Sequence, residues 1–187
     1  MSQPWTHTPY SKAYERVDEH YVEPEWVSQR LFEEEKFNGR IYDPACGFGR
    51  IVLAAMTAGH RAYGSDIVYR GWDTTLQDFI HHDGMHDNIV TNPPFDRMEL
   101  FTMRALECSR YKAAIIFPTA RLNAARWLDA TPLQTVWLLT PRPSMPPGHV
   151  IKAGGKVGGG KSDYCWLVFE RGYSGEPVMK WLRRDVN

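Results

Sequence analysis

The sequence predicts an α/β fold: a mostly parallel, doubly wound sheet of seven strands with helices on both faces. Two observations predict it. Short β-rich runs alternate with segments of helical period, and a glycine-bearing turn joins the first strand directly to a helix.

Taken in order, residues 24–37 place Trp26, Val27, Leu31 and Phe37 near helical spacing, with Pro24 in the first turn and Asn38-Gly39 as the stop. The first strand is 40–43, a helix follows over 51–58 and ends at Gly59, and the second strand is 61–66. Further strands are expected at 88–91, 113–117, 135–139 and 164–169, with a weak one at 76–79. Helices are expected at 99–110 and 120–128. The 187 residues suit one domain, 1–187, with 1–20 as an amino-terminal extension and 141–161 as a flexible basic loop.

Composition narrows the classes. Hydrophobic residues at 43% and charged residues at 24% describe a globular chain, and no apolar run approaches the roughly 20 residues that span a bilayer, so no membrane partner is expected. Residues 1–10 lack the apolar run of a secretory signal, and Cys46, Cys108 and Cys165 contain no close pair, so a reducing, cytoplasmic setting is expected. Lys and Arg balance Asp and Glu at 22 each, but the halves differ. Residues 1–103 carry 9 basic and 16 acidic side chains, whereas 104–187 carry 13 and 6, so the carboxy-terminal half holds the surplus of positive charge that suits a nucleic acid.

The first chemical signal is Asp43-Pro44-Ala45-Cys46-Gly47-Phe48-Gly49, set between a strand and a helix. Gly47 and Gly49 let a ligand approach the backbone, and Asp43 stands where open α/β sheets bind ligands. Position 52 is Val rather than a third glycine, so the dinucleotide fingerprint is not met. Asp66 ends the second strand, placed to accept from ribose hydroxyls, and Asp78 with Phe79 can accept from an adenine amine while the ring packs on the base.

The second signal is Asn92-Pro93-Pro94-Phe95 after the apolar strand. Two prolines remove two backbone donors, which leaves a rigid turn rich in acceptors. The Asn92 amide oxygen and the Pro93 carbonyl can hold both hydrogens of a planar amine, with Phe95 stacked on its ring.

In this order, the Asp43–Gly49 and Asn92–Phe95 segments resemble motifs I and IV of the S-adenosylmethionine-dependent N6-adenine DNA methyltransferases, over roughly residues 21–170. The likeness is to small phage and bacterial members without a separate recognition domain. It implies a Rossmann-like class I methyltransferase fold, S-adenosylmethionine as cofactor and DNA as partner. It places Asp43, Pro44, Ala45, Cys46, Gly47 and Gly49 at the methionine part of the cofactor. Asp66 and Ile67 fall at the ribose and adenine, and Asp78 and Phe79 at the adenine edge. Asn92, Pro93, Pro94 and Phe95 form the catalytic turn, with Asn92 also beside the cofactor and Phe95 on the target base. Glu23 stands where the family often has threonine in its amino-terminal cofactor segment. By this likeness an exocyclic amine, held on two acceptors, attacks the methyl group directly, with no metal and no covalent enzyme intermediate.

Arg142, Lys152, Lys156 and Lys161, around the glycines at 154, 155, 158, 159 and 160, are expected to close on the phosphate backbone. His81, His82 and His86, with Asp83 and Asp87, match no zinc pattern and read as a solvated loop. Cys46 reads as a packing residue, and 171–177, among the 18 residues that follow Phe169, as a tail over the sheet. Methylation of an RNA base or of a protein glutamine is the alternative within the fold. A noncatalytic DNA- or protein-binding module is the alternative outside it. No oligomeric state is read from the sequence.

Overall fold

A computed structural model describes residues 20–155 and 158–185. Eight strands form one sheet: β1 (Ile41–Asp43), β2 (Ala62–Asp66), β3 (Thr75–Leu76), β4 (His86–Thr91), β5 (Ser109–Pro118), β6 (Leu133–Thr140), β7 (Tyr164–Glu170) and β8 (Val178–Arg183). Their order is β3-β2-β1-β4-β5-β7-β6-β8, with β7 the one antiparallel member. The helices are α1 (Glu25–Glu34), α2 (Arg50–Thr57), α3 (Met98–Cys108) and the short α4 (Gly148–Lys152).

The faces follow from alternation along buried strands. Val90, Ala114, Ile116 and Trp166 point to one side, where α1 brings Val27 and Leu31 and α2 brings Ile51 and Ala55. Ile89, Ala113, Ile115 and Leu167 point to the other, against Phe101 and Ala105 of α3. Because β1, β2 and β4 are parallel, Asp43, Asp66 and Thr91 all end at one edge. The chain runs outward from β1 to β3 and returns to β4 on the opposite side of β1. A crevice at that switch point is where such sheets take ligands.

Four expectations change. Residues 178–183 form β8, parallel to β6 and anchored by the buried Leu182, so the supposed tail at 171–177 leads into an eighth strand that was not expected. Residues 120–128 fold as two 3-10 segments, Thr119–Ala124 and Arg126–Ala130, because Ala125 leaves helical geometry between them at ψ 60°. Pro24 is the N-cap of α1, extended at ψ 147°, rather than part of its first turn. The weak third strand shortens to Thr75–Leu76, since Asp78 caps a 3-10 turn and draws Phe79 out of it. No described helix is long and apolar enough to cross a membrane.

Candidate functional site

At the tip of β1 the chain turns sharply through Gly47 and Gly49, whose φ values of 52° and 76° are left-handed, before α2 begins at Arg50. Asp43 is buried, and its Oδ1 accepts from Thr91 Oγ1 at 2.7 Å and Ala45 N at 3.1 Å. Burial holds its carboxyl well above the usual carboxylate range, and the nearby Glu23 and Asp66 push the same way. Cys46, in the same turn, donates from Sγ to Thr74 Oγ1 at 3.3 Å, and burial drives its thiol up to about 12. The thiol therefore stays protonated, in keeping with a packing role.

Asp66, at the tip of β2, clamps the turn: Oδ2 accepts from Gly47 N at 2.9 Å, Oδ1 accepts from Val68 N at 3.0 Å, and Arg70 Nε lies 3.6 Å away. Ile67 beside it is exposed. A side chain added at Gly47 would overlap the His20 ring, and one at Gly49 the Trp72 ring, so only glycine lets these two rings pack directly against the turn. Asp78 accepts from Ile80 N at 3.0 Å and approaches His81. The expectation that the Phe79 ring packs on a base is corrected: the ring is 1% exposed and lies in the core, tilted against Phe101.

At the tip of β4, Asn92 Nδ2 donates to the Tyr21 carbonyl at 2.8 Å and to Glu23 Oε2 at 2.9 Å. Asn92 Oδ1 is buried and has no hydrogen-bond partner among the described residues. Glu23 is 5% exposed, and burial raises its carboxyl above the ordinary value. Its backbone carbonyl accepts from Arg50 at 2.7 Å. Glu23, Asp43, Ala45, Cys46 and Asn92 line one cleft, so two strand tips and the amino-terminal strap meet there.

Phe95 stands between two aromatic rings, stacked with Tyr21 at 5.3 Å and 8° and tilted to Tyr164 at 5.6 Å. Arg121 donates to the Phe95 carbonyl. Tyr21, Arg50, Arg121 and Tyr164 were not singled out in the sequence. Only Tyr21, two residues before the glutamate at the family's threonine position, carried a local signal.

The basic loop departs from expectation. Residues 146–152 are tied down rather than free: Val22 N donates to Pro146 O at 3.0 Å and Gly148 N to His20 O at 2.7 Å. Arg142 forms a forked pair with Asp163 at 2.6 and 3.0 Å, so its charge is already matched. Lys152 lies 5.5 Å from the Phe48 ring centroid at the rim of the cleft, and Lys161 is exposed. Lys156 and residues 1–19 lie outside the described residues.

The histidine loop is not wholly solvated either. His86 is 7% exposed, stacks on Tyr42 at 4.0 Å, and meets Tyr63 Oη at 2.7 Å and His82 Nε2 at 3.1 Å.

No family model and no curated protein matches the sequence. Solved structures do resemble the fold. A protein from Pyrococcus horikoshii described as an RNA methyltransferase is 13% identical, with a TM-score of 0.59 over 77% of this chain and 81% of its own. The M protein of the type I restriction enzyme EcoKI is 15% identical at a TM-score of 0.59, over 90% of this chain and 49% of its own, so this chain spans about half its length. A TehB-like SAM-dependent methyltransferase from Corynebacterium glutamicum is 15% identical at 0.50, over 77% and 86%. Likeness at this level of identity speaks for architecture, and the chain has the Rossmann-like methyltransferase fold.

Proposed function

We propose that the chain transfers a methyl group from S-adenosylmethionine to the exocyclic amine of adenine in DNA. The observation that carries this reading is the buried Asn92 Oδ1, an acceptor without a hydrogen-bond partner among the described residues, on a side chain that lines the cleft with Glu23 and Asp43. A buried acceptor without a partner costs about 1–3 kcal/mol, and a substrate N–H removes that cost.

The donor set fits the cofactor. Glu23 and Asp43 are carboxyls raised by burial, and a sulfonium or ammonium cation relieves them. In this reading Asp43 and the 44–49 backbone hold the methionine part, Asp66 and Ile67 hold the ribose and adenine, and Asp78 takes the adenine edge. When bound, the cofactor supplies a methyl group on positively charged sulfur; the amine lone pair takes that methyl, the carbon–sulfur electrons stay on sulfur, and the surplus proton passes to water.

The remaining work falls to the protein. Asn92 Oδ1 and the Pro93 carbonyl accept the two amine hydrogens, which draws the nitrogen lone pair out of ring conjugation. The prolines keep competing donors away. Phe95 is backed by Tyr164 and covered by the stacked Tyr21 ring, so a flat base takes the place of the Tyr21 ring on its face, which favours a nucleobase over a glutamine amide. Positioning two reactants in this way supplies about 7–11 kcal/mol of the barrier. In duplex DNA the base leaves the stack at a cost of about a few kcal/mol, which stacking on Phe95 offsets.

Calorimetry with S-adenosylmethionine and tritiated transfer to DNA, RNA and protein side by side test the proposal. Cofactor binding with transfer to DNA supports it, and Asn92→Ala is expected to abolish transfer while leaving most of the binding. Binding of DNA without transfer indicates the noncatalytic alternative.

A further inference from the structure

We propose that Glu23 is a positioning residue that fixes which end of the Asn92 amide meets the substrate amine. The inference rests on the proposed reading of the cleft. An asparagine amide presents two ends of nearly equal size and opposite polarity, and rotation by half a turn exchanges them. With the NH2 end facing the amine, donor would meet donor and no hydrogen would be held. The Asn92 side chain alone gives no reason to prefer the productive orientation.

The structure supplies the reason on the opposite side of the amide. The Glu23 carboxylate at 2.9 Å and the Tyr21 carbonyl at 2.8 Å are both acceptors, and both meet the same end. Only Nδ2 satisfies them. Reversal breaks two hydrogen bonds, one of them to a carboxylate, and sets Oδ1 against that carboxylate. Hydrogen bonds to charged groups are worth about 10- to 100-fold in an equilibrium, so a single orientation dominates.

Glu23 is itself held still. Its carbonyl is bound by Arg50 at 2.7 Å, Val22 before it is 3% exposed, and Pro24 after it caps α1. Glutamate at this position thus gains a purpose different from a hydroxyl contact to cofactor: its side chain turns toward the amine-accepting turn. The titratable and charged groups around it are Asp43 of β1, Arg50 of α2 and His20 of the strap, with Asp66 beyond Asp43. Burial raises its carboxyl, so acid removes the anion earlier than for a free glutamate.

The test is steady-state transfer of tritiated methyl from S-adenosylmethionine to an unmethylated DNA oligonucleotide by wild type, E23Q, N92D and the double variant E23Q/N92D. E23Q introduces a donor that can pair with either end of the amide. It is expected to lower kcat at saturating cofactor about 10- to 100-fold, with KM for DNA changed less than about threefold. N92D sets two buried carboxylates against each other and is expected to be nearly inactive. The double variant restores a donor facing an acceptor at position 23 and leaves one oxygen for the amine, while the Tyr21 carbonyl stays without its donor, so it is expected to regain only part of the loss, at least about threefold over N92D. Wild-type kcat in E23Q, or a double variant no better than N92D, overturns the proposal.

If the wild type transfers to no substrate, the functional reading fails, and the pairing is judged separately by NMR. The Asn92 side-chain NH2 resonances of the wild-type protein are expected to shift as acid titrates Glu23. Resonances that stay still through that titration overturn the pairing without any variant.

Discussion

Thr91 Oγ1 donates to Asp43 Oδ1 across 2.7 Å, and this bond ties the tip of β4 to the tip of β1. Both residues are buried, and among the described residues the hydroxyl and Ala45 N are the donors that the Oδ1 atom has. The bond sets the distance between the acidic turn and the Asn92–Phe95 turn that follows. Thr91→Val keeps the shape and removes the donor; it is expected to cost about 1.5–3 kcal/mol in chemical denaturation, with Thr91→Ser costing less. An unchanged midpoint would show that the two tips are held by other means.

Phe95 is expected to act through its ring face. Phe95→Ala should weaken binding of an adenine-containing oligonucleotide by about 1–3 kcal/mol, the usual worth of one stacked base, while Phe95→Trp retains it. Fluorescence anisotropy at fixed salt reads the difference. Equal affinity for all three proteins would remove stacking from the account.

The β8 strand makes a prediction about folding. Leu182 is 0% exposed, whereas Met179 and Trp181 are each 56% exposed on the same strand. Leu182→Ala is expected to cost about 2–5 kcal/mol, and Met179→Ala to stay within about 0.5 kcal/mol. Denaturant titration of the two variants gives the comparison, and equal small losses would return 178–183 to the status of a loose tail.

That strand also shows what the sequence could and could not reveal. The strands that carry the site were legible because each is an apolar run closed by a polar residue at a turn: Asp43, Asp66 and Asn92. The β8 segment VMKWLR offers one buried side chain and no alternation, so its pairing with β6 leaves no periodic trace. Residues 119–130 are rich in the helix formers Ala, Leu and Arg, and only the geometry at Ala125 shows the break. The glycine turn and the Asn-Pro-Pro-Phe turn were legible in the site, but their partners were not. Glu23 and Asn92 are 69 residues apart, and Tyr21 and Asn92 are 71 apart, so no local pattern announces their contacts. Phe79 looked like a ligand-facing ring because burial within the core cannot be read from a single dipeptide.

The His86 imidazole gives a pH signature. Burial, with the positive fields of His82, Arg40 and Arg110, lowers it to about 4, against about 6.5 for an unfolded histidine. The unfolded chain therefore takes up the proton first, and the contribution of neutral His86 to stability is lost as pH falls from about 6.5 toward 4. Glu23 and Asp43, raised in the fold, act in the opposite sense, contributing most at low pH and less as pH rises. Urea midpoints measured from pH 7 to pH 4 are expected to fall more steeply for wild type than for His86→Gln. Parallel curves would contradict the assignment.

The central claim is that one cleft holds a cationic methyl donor on its acidic turn and a flat amine on the Asn92–Phe95 turn. Its most direct test is expression in a methylation-deficient host, followed by digestion of the DNA and mass spectrometry of the nucleosides. The account predicts N6-methyldeoxyadenosine, absent when Asn92→Ala is expressed to the same level. DNA free of any methylated nucleoside, together with purified protein that does not bind S-adenosylmethionine, would contradict it.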